Sequence, residues 1–536
     1  MQHPAANNVC QDKEARSNPG FFALETKIGF SVYIAAYNII VRLSASAASP
    51  KKGPLPGLES GASALTGYMR PKDGLNTNDQ EGRVKTVFVV GAGPAGLFAA
   101  QKIAQGGHEV IIFNRDIKPG GLAEYGIYPT KDKMKVGLRK QFAKVLGLPN
   151  VHYVGHLPVG SESPLCVPEL HEFSPSALVF AVGAQGTKKL GLAGGDAQGV
   201  YSAKDFVYHY NLLPPFASQD FSIGKRVAIV GMGNVMVDIA RWLLLDAPRK
   251  TAEEVVVVAR RGPFEAKFDL KEFVYIENFL DRQAFQQELQ RIQPQLAAVG
   301  QDITKVQEDT FPVLAKPAQE SPGGRLLFRF LCSPQAIHQD AEGRINRLTV
   351  AENILAERDG NISAKASDKV SDLDVDTMIF AIGDVIDPTL GLPLGGDGYA
   401  VNSDPNDPKR ASYEVFDPRN GKLVEGTYVV GWARKASEGL VGIARHDAEV
   451  GAVHVLKYLE SVPEKAAASP QEIFRRLENK NLQLVTKADL ELLGRAEEKE
   501  ALERGMPWFK FADDEVMLAT IEEERAKAGT SSTAAV

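Results

Sequence analysis

The strongest constraint on this chain is a strand, glycine turn and helix pattern that occurs twice. In the first copy the apolar run TVFVV leads into Gly91-Ala92-Gly93-Pro94-Ala95-Gly96 and an amphipathic stretch to Gln105, and EVIIF then ends at Phe113. Strand, turn, helix and strand in that order predict a βαβ unit. RVAIVGMGNVMVDIARWLLL (226–245) followed by EVVVVARR (254–261) repeats the order. ALVFAVGAQG (177–186) and DTMIFAIGD (376–384) also echo one another, each an apolar strand closed by a glycine turn. LLFRFLCSP (326–334) and INRLTVAEN (345–353) read as a pair of strands.

Each glycine in the first turn has a separate physical task. Gly91 allows the tight turn, Gly93 lets backbone approach a pyrophosphate, and Gly96 lets the helix close on the strand. The helix that begins at Pro94 and Ala95 turns its partial positive charge toward that phosphate. Asn114, with Arg115 after it, stands where a carboxylate for the ribose hydroxyls is expected. Asn114 can serve the ribose by hydrogen bonding or simply cap the strand. In the second unit, Gly231-Met232-Gly233-Asn234-Val235-Met236 has Met236 for the third small residue. The following strand ends in Arg260-Arg261, two guanidinium groups that suit a 2′-phosphate and so favour NADPH over NADH.

These patterns predict an α/β chain with two Rossmann-like dinucleotide-binding domains, the second (205–375) inserted into a first formed by 84–204 and 376–460. Residues 461–536 read as a charged helical tail, most apolar at MPWFKFADDEVMLATI (506–521). Residues 44–83, rich in Ser, Ala, Gly and Pro, read as linker. Gly29–Leu43 falls short of the ~18–20 apolar residues of a membrane helix and reads as part of a poorly ordered extension. The reactive centre that two such sites suggest is a flavin ring facing a nicotinamide. The loop from Gly431-Trp432 to Gly439-Leu440-Val441 feeds a helix whose N–H groups can stabilise reduced flavin. Trp432 can shield the ring or only pack.

Composition narrows the alternatives. A net charge of −6 over 536 residues gives no basic field for nucleic acid. Cys10, Cys166 and Cys332 are too far apart in sequence for a CxxC pair, so a local redox dithiol and a cysteine-rich iron–sulfur motif are both excluded. No metal site is expected, and the expected location is the cytoplasm.

GAGPAG (91–96), GGLAEYGI (120–127), VGMGNVMVDIAR (230–241), ARRGPFEAKFDLKE (259–272), VVGWARKASEGLVG (429–442) and FKFADDEVML (509–518) occur in one order. In them the chain resembles the adrenodoxin reductase and NADPH–ferredoxin reductase family, which is close to the small subunit of glutamate synthase. The resemblance implies FAD in the split domain and NADPH in the inserted one. It places Gly121 and Leu122 at the flavin pocket, and Trp432, Gly439, Leu440 and Val441 at the flavin edge. It places Asn234 and Val235 at the NADPH pyrophosphate, Arg260 and Arg261 at the 2′-phosphate, and Glu272 near the nicotinamide. Relatives have Glu at the position of Asn114 and His at that of Lys131, while Lys131, Lys133 and Lys135 resemble the glutamate synthase side.

Three activities are compatible with this reading. The first is an FAD-dependent reductase of a ferredoxin-like or other carrier, with catalytic groups at Glu272, Trp432 and Lys131. The second is the NADPH-oxidising subunit of a larger complex, and the third a nucleotide-binding regulator without turnover. The lysines at 131–144 and Arg139 form either a docking face for an acidic carrier or an ordinary solvated helix face.

Overall fold

The structure, a computed structural model, describes residues 84–533 apart from 318–320, 322, 359, 397, 405–406, 437–440, 464–467 and 481. In 403–412 and 530–533 it describes the backbone alone. The extension and linker expected over 1–83 lie outside the described residues, as do Gly439 and Leu440.

The described chain opens with β1 (Thr86–Val90), α1 (Pro94–Gln105), β2 (Glu109–Phe113), α2 (Asp132–Leu146), β3 (Val151–Val154) and β4 (Ala177–Phe180). It continues through β5 (Val200–Ser202), α3 (Ala203–Tyr210), β6 (Arg226–Val230), α4 (Asn234–Arg241), β7 (Glu254–Val258) and β8 (Arg325–Arg329). Then come β9 (Cys332–Gln339), β10 (Ile345–Arg358), β11 (Asn361–Asp374) and β12 (Thr377–Phe380). The last elements used below are β13 (Val401–Asp404), β14 (Asp407–Asp417), β15 (Lys422–Val429), α5 (Val441–Ser461), α6 (Lys487–Glu503) and α7 (Asp514–Thr533).

The strands form two main sheets. One runs β13-β14-β15-β4-β1-β2-β3 and the other β5-β12-β6-β7-β8, while β9-β10-β11 make a separate antiparallel sheet. The strands flanking each glycine turn are parallel and buried on both faces, which is why they read as unbroken apolar runs. The two sheets share one internal register. Val90 is level with Phe113 and Phe180 in the first, and Val230 with Val258 and Phe380 in the second. Each glycine turn therefore opens at the carboxyl ends of three strands that stop in step, the position where open α/β sheets bind ligands.

Two expectations shift. β5 and β12 both belong to the second sheet, so the expected boundaries at 204/205 and 375/376 each strip one strand from it. ALVFAVGAQG and DTMIFAIGD are equivalent strands of different sheets. The chain crosses between the sheets just after each of them, where Gly186–Thr187 and Asp384–Val385 pair antiparallel. The expected pairing of 326–334 with 345–353 is divided as well. Leu326–Arg329 extends the second parallel sheet beside β7, and only Cys332 onward pairs with β10. Among the described residues no helix is long and apolar enough to cross a membrane.

Candidate active site: two cradles and the contact between them

The first turn shows why each glycine is needed. Gly91 has φ +103° and donates its N–H to the Phe113 carbonyl at 2.7 Å. A Cβ there would lie 2.6 Å from the Ala181 carbonyl oxygen. A Cβ at Gly96 would lie 1.8 Å from the Gly91 oxygen, so α1 could not close on β1. Gly93 is different, because a Cβ there meets nothing among the described residues within 4 Å. Its space is an open bay at the N-terminus of α1, where Pro94 begins the helix and Ala95 is buried.

Two distant segments form the rim of this bay. Gly120 donates its N–H to the Ala92 carbonyl at 2.8 Å. Gly121, at φ +47°, would place a Cβ 3.1 Å from the Gly93 Cα. Leu122 opens the one-turn helix Leu122–Tyr125 and packs with Tyr125, Tyr208 and Leu213. From the other side Gly431, at φ +66°, would set a Cβ 2.5 Å from the Ala95 Cβ. Its N–H donates to Asp447 Oδ2 at 2.6 Å, and Arg434 is paired with the same carboxylate. Trp432 follows, partly buried, and Val441 opens α5 in the apolar cluster shared with α1.

The second turn repeats the first. Gly231, at φ +122°, donates to the Val258 carbonyl at 3.0 Å, and a Cβ there would lie 2.2 Å from the Ala381 oxygen. Ala381 is thus the counterpart of Ala181, which explains the recurrence of FAVG and FAIG. A Cβ at Gly233 again meets nothing within 4 Å. Met236, in place of the third glycine, is fully buried. Val235 is exposed, and the Asn234 side-chain oxygen accepts the Asp269 N–H at 2.6 Å. Arg260 and Arg261 follow β7. Their carbonyls accept hydrogen bonds from Asn353 and Leu331, while neither guanidinium has a hydrogen-bond or ion-pair partner among the described residues.

The pyridine nucleotide-disulphide oxidoreductase family matches residues 85–278. The NADPH-ferredoxin reductase FprA of Mycobacterium leprae (strain TN) is 31% identical over 398 residues, covering 68% of this chain and 81% of that protein. The chain belongs to the NADPH–ferredoxin and adrenodoxin reductase family. Its mitochondrial NADPH:adrenodoxin oxidoreductase relative from Arabidopsis thaliana is 26% identical, with 81% and 94% of the two chains covered. The solved Mycobacterium tuberculosis FprA in complex with NADPH superposes with a TM-score of 0.67 at 28% identity, covering 82% of this chain and 99% of that one.

In this member of the family, the segment after the GGL turn reaches across to the second domain. Lys131 Nζ meets Glu272 Oε1 at 2.8 Å, joining two residues singled out in the sequence. Glu272 Oε2 is buried with no hydrogen-bond partner among the described residues. Beside them Arg241 is buried between the rings of Tyr128 and Tyr275, at 4.2 and 3.9 Å from their centroids. It also donates to Thr130 Oγ1 at 2.9 Å, and Tyr128 donates to Asp246 at 2.6 Å. Burial raises the Asp238 carboxyl to about 6, with Lys131 opposing and Glu272 adding to the rise.

Two readings left open by the sequence are narrowed. Asn114 is buried and its amide is occupied within the protein. Its oxygen accepts the Ala92 N–H at 2.9 Å and its nitrogen donates to the Asp116 and Lys118 carbonyls and the Tyr153 hydroxyl. It therefore braces the glycine turn with both ends of its amide. Arg115, held by Asp116 and Gln185, is the half-exposed group at that strand end. The stretch 131–144 is not one uniform docking or solvated face either. Lys135 is buried with its ammonium on Asn211 Oδ1, and Arg139 forks onto the buried Glu124, with both contacts at 2.7 Å. Lys133, Lys140 and Lys144 are exposed.

Sequence reasoning missed the network behind these contacts. Lys510, in the tail, is buried with its ammonium on Glu124 Oε1 (3.1 Å) and the Asn211 carbonyl (2.7 Å), 4.4 Å from the Tyr125 ring centroid. Burial pulls the Lys510 ammonium down to about 8, and burial with the neighbouring Lys510 charge pulls Lys135 to about 7. The only signal available was the charged Glu124 inside an otherwise apolar, glycine-rich GGLAEYG.

Proposed function

We propose that this chain is an FAD-dependent NADPH oxidoreductase that passes electrons from NADPH through flavin to a ferredoxin-like carrier. The observation that carries the reading is the pair of matching glycine turns, each with an open bay at its central glycine and a helix N-terminus facing it. Both bays fit a dinucleotide pyrophosphate, because the positions where a side chain would intrude are glycine. FAD, bound at the first, supplies a ring that accepts hydride from nicotinamide and releases electrons one at a time.

The residues of the chain act around that chemistry. Gly93, Gly121 and Leu122 line the FAD side, and Gly431, Trp432 and Val441 close it opposite. Arg260 and Arg261 take the 2′-phosphate with guanidinium groups that no carboxylate of the described residues occupies. Asn234 and Val235 offer the N–H groups at the start of α4 to the NADPH pyrophosphate. Glu272 keeps Oε1 on Lys131 and holds Oε2 free to accept from a nicotinamide amide. This arrangement orients the ring and moves no proton. Exposed Lys133, Lys140 and Lys144 offer positive charge to an acidic carrier. We assign the protein to the cytoplasm, which fractionation tests directly because the Arabidopsis relative is named mitochondrial.

The deciding experiment is anaerobic mixing with NADPH followed by oxidised carriers. A yellow protein that bleaches with NADPH faster than with NADH and is reoxidised by a ferredoxin supports the reading. A colourless protein, or one that never bleaches, identifies a regulator. Bleaching with no turnover on any free carrier identifies a subunit of a larger complex.

A further inference from the structure

The loop that rims the first bay, residues 114–125, is supported from behind by the C-terminal tail. Ile117 lies in one apolar cluster with Val485 and Leu493 and with Met517 and Ile521 of α7. Lys118 pairs with Glu497 of α6 at 2.5 Å. Lys510, between α6 and α7, reaches Glu124 and Asn211 as described above. Apolar contacts alone could seat a tail, and a buried ammonium is costly unless it is well paired. What Lys510 adds is direction: its bonds fix the Glu124 carboxylate that Arg139 holds from the other side.

A short chain of contacts leads from Lys510 to the bay. The Glu124 N–H donates to the Gly121 carbonyl at 3.0 Å. The Glu124 Cβ stands 3.0 Å from where a Cβ at Gly120 would be, and Gly121 rests on Gly93. Moving Glu124 therefore moves the Gly120–Gly121 turn against the open space at Gly93. We propose that the tail is a retention lock for the dinucleotide of the first bay, with Lys510 as its positioning residue. The inference rests on the reading of that bay as the FAD site.

The test follows FAD release from the purified holoenzyme after dilution, read as the rise in flavin fluorescence. K510M is expected to release FAD at least tenfold faster, as expected for one lost charged hydrogen bond. Its NADPH affinity at saturating FAD is expected to be unchanged. Lys510→Arg, which keeps the charge, is expected to restore most of the retention. Release at the wild-type rate from folded K510M overturns the proposal, as does an equal loss of FAD and NADPH. Should K510M fail to fold, Lys118→Met, which cuts the more exposed contact of the same loop to α6, replaces it. Faster release then supports the lock and unchanged release overturns it. Wild-type protein that neither carries nor takes up FAD refutes the cofactor assignment itself, and the lock with it.

Discussion

Alanine at Gly93 and at Gly233 separates folding from cofactor binding. Both glycines have backbone angles open to any residue, φ −73° and ψ −177° at Gly93, and φ −119° and ψ −174° at Gly233. A Cβ at either meets no atom of the described residues within 4 Å. Unliganded Gly93→Ala and Gly233→Ala should thus match wild type in stability or exceed it by about 0.4–1 kcal/mol, through reduced freedom of the unfolded chain. A bound pyrophosphate changes the balance, because the methyl group then occupies the ligand's space. Overpacking of that kind costs about 1–3 kcal/mol, or about 5- to 150-fold in Kd. The losses should be crossed, with Gly93→Ala weakening FAD alone and Gly233→Ala weakening NADPH alone. Flavin fluorescence titration of the apoprotein reads the first, NADPH titration of the flavin-loaded protein the second, and thermal unfolding of the apoproteins the stability. Gly96→Ala is the contrast, since its Cβ would lie 1.8 Å from the Gly91 oxygen and the turn itself must give way. Unchanged NADPH affinity in Gly233→Ala, or an apoprotein melting well below wild type, would refute the assignment of these bays to pyrophosphates.

Three further outcomes are expected. Arg260→Ala with Arg261→Ala should weaken NADPH relative to NADH by about 1–3 kcal/mol for lost charged hydrogen bonds, and equal losses in steady-state titrations would show that they do not read the phosphate. Asp238, raised in the folded protein from the usual 3.8 to about 6, holds a proton there that the unfolded chain releases. Its contribution to stability is present below pH 4 and lost as pH rises through 6, so Asp238→Asn should gain on wild type across that window by up to about 3 kcal/mol. Parallel Tm–pH curves for the two proteins would contradict this. Deleting residues 1–68 should leave FAD bound, because both bays are built from residue 84 onward, and loss of the flavin absorbance on truncation would show otherwise.

The parts of this architecture that were legible in the sequence are those governed by local backbone geometry. GAGPAG and GMGN can be read because a glycine forced to positive φ, or pressed against a carbonyl, leaves no freedom in residue choice. Strand register follows from the same turns, as Phe113 and Val258 each accept the N–H of the first glycine. Contacts between distant segments were beyond such reading. Position alone left Asn114 open between ribose contact and strand cap, and its burial against Tyr153, 39 residues away, depends on β3. Lys135 and Lys510 carry charges that place lysine on the surface by default, and only the convergence of α2, α3 and the tail on Glu124 makes a buried site for them. The repeats FAVG and FAIG are visible in the sequence, but the expected boundaries put both in the first domain, because sequence similarity reports equivalence of role and not shared neighbours. Where a carbonyl must lean on a glycine, as Ala181 and Ala381 do, the same constraint produces the same letters in two sheets. Their likeness is therefore evidence that the two bays are built alike, and it is the same likeness that makes alanine at Gly93 and at Gly233 comparable probes.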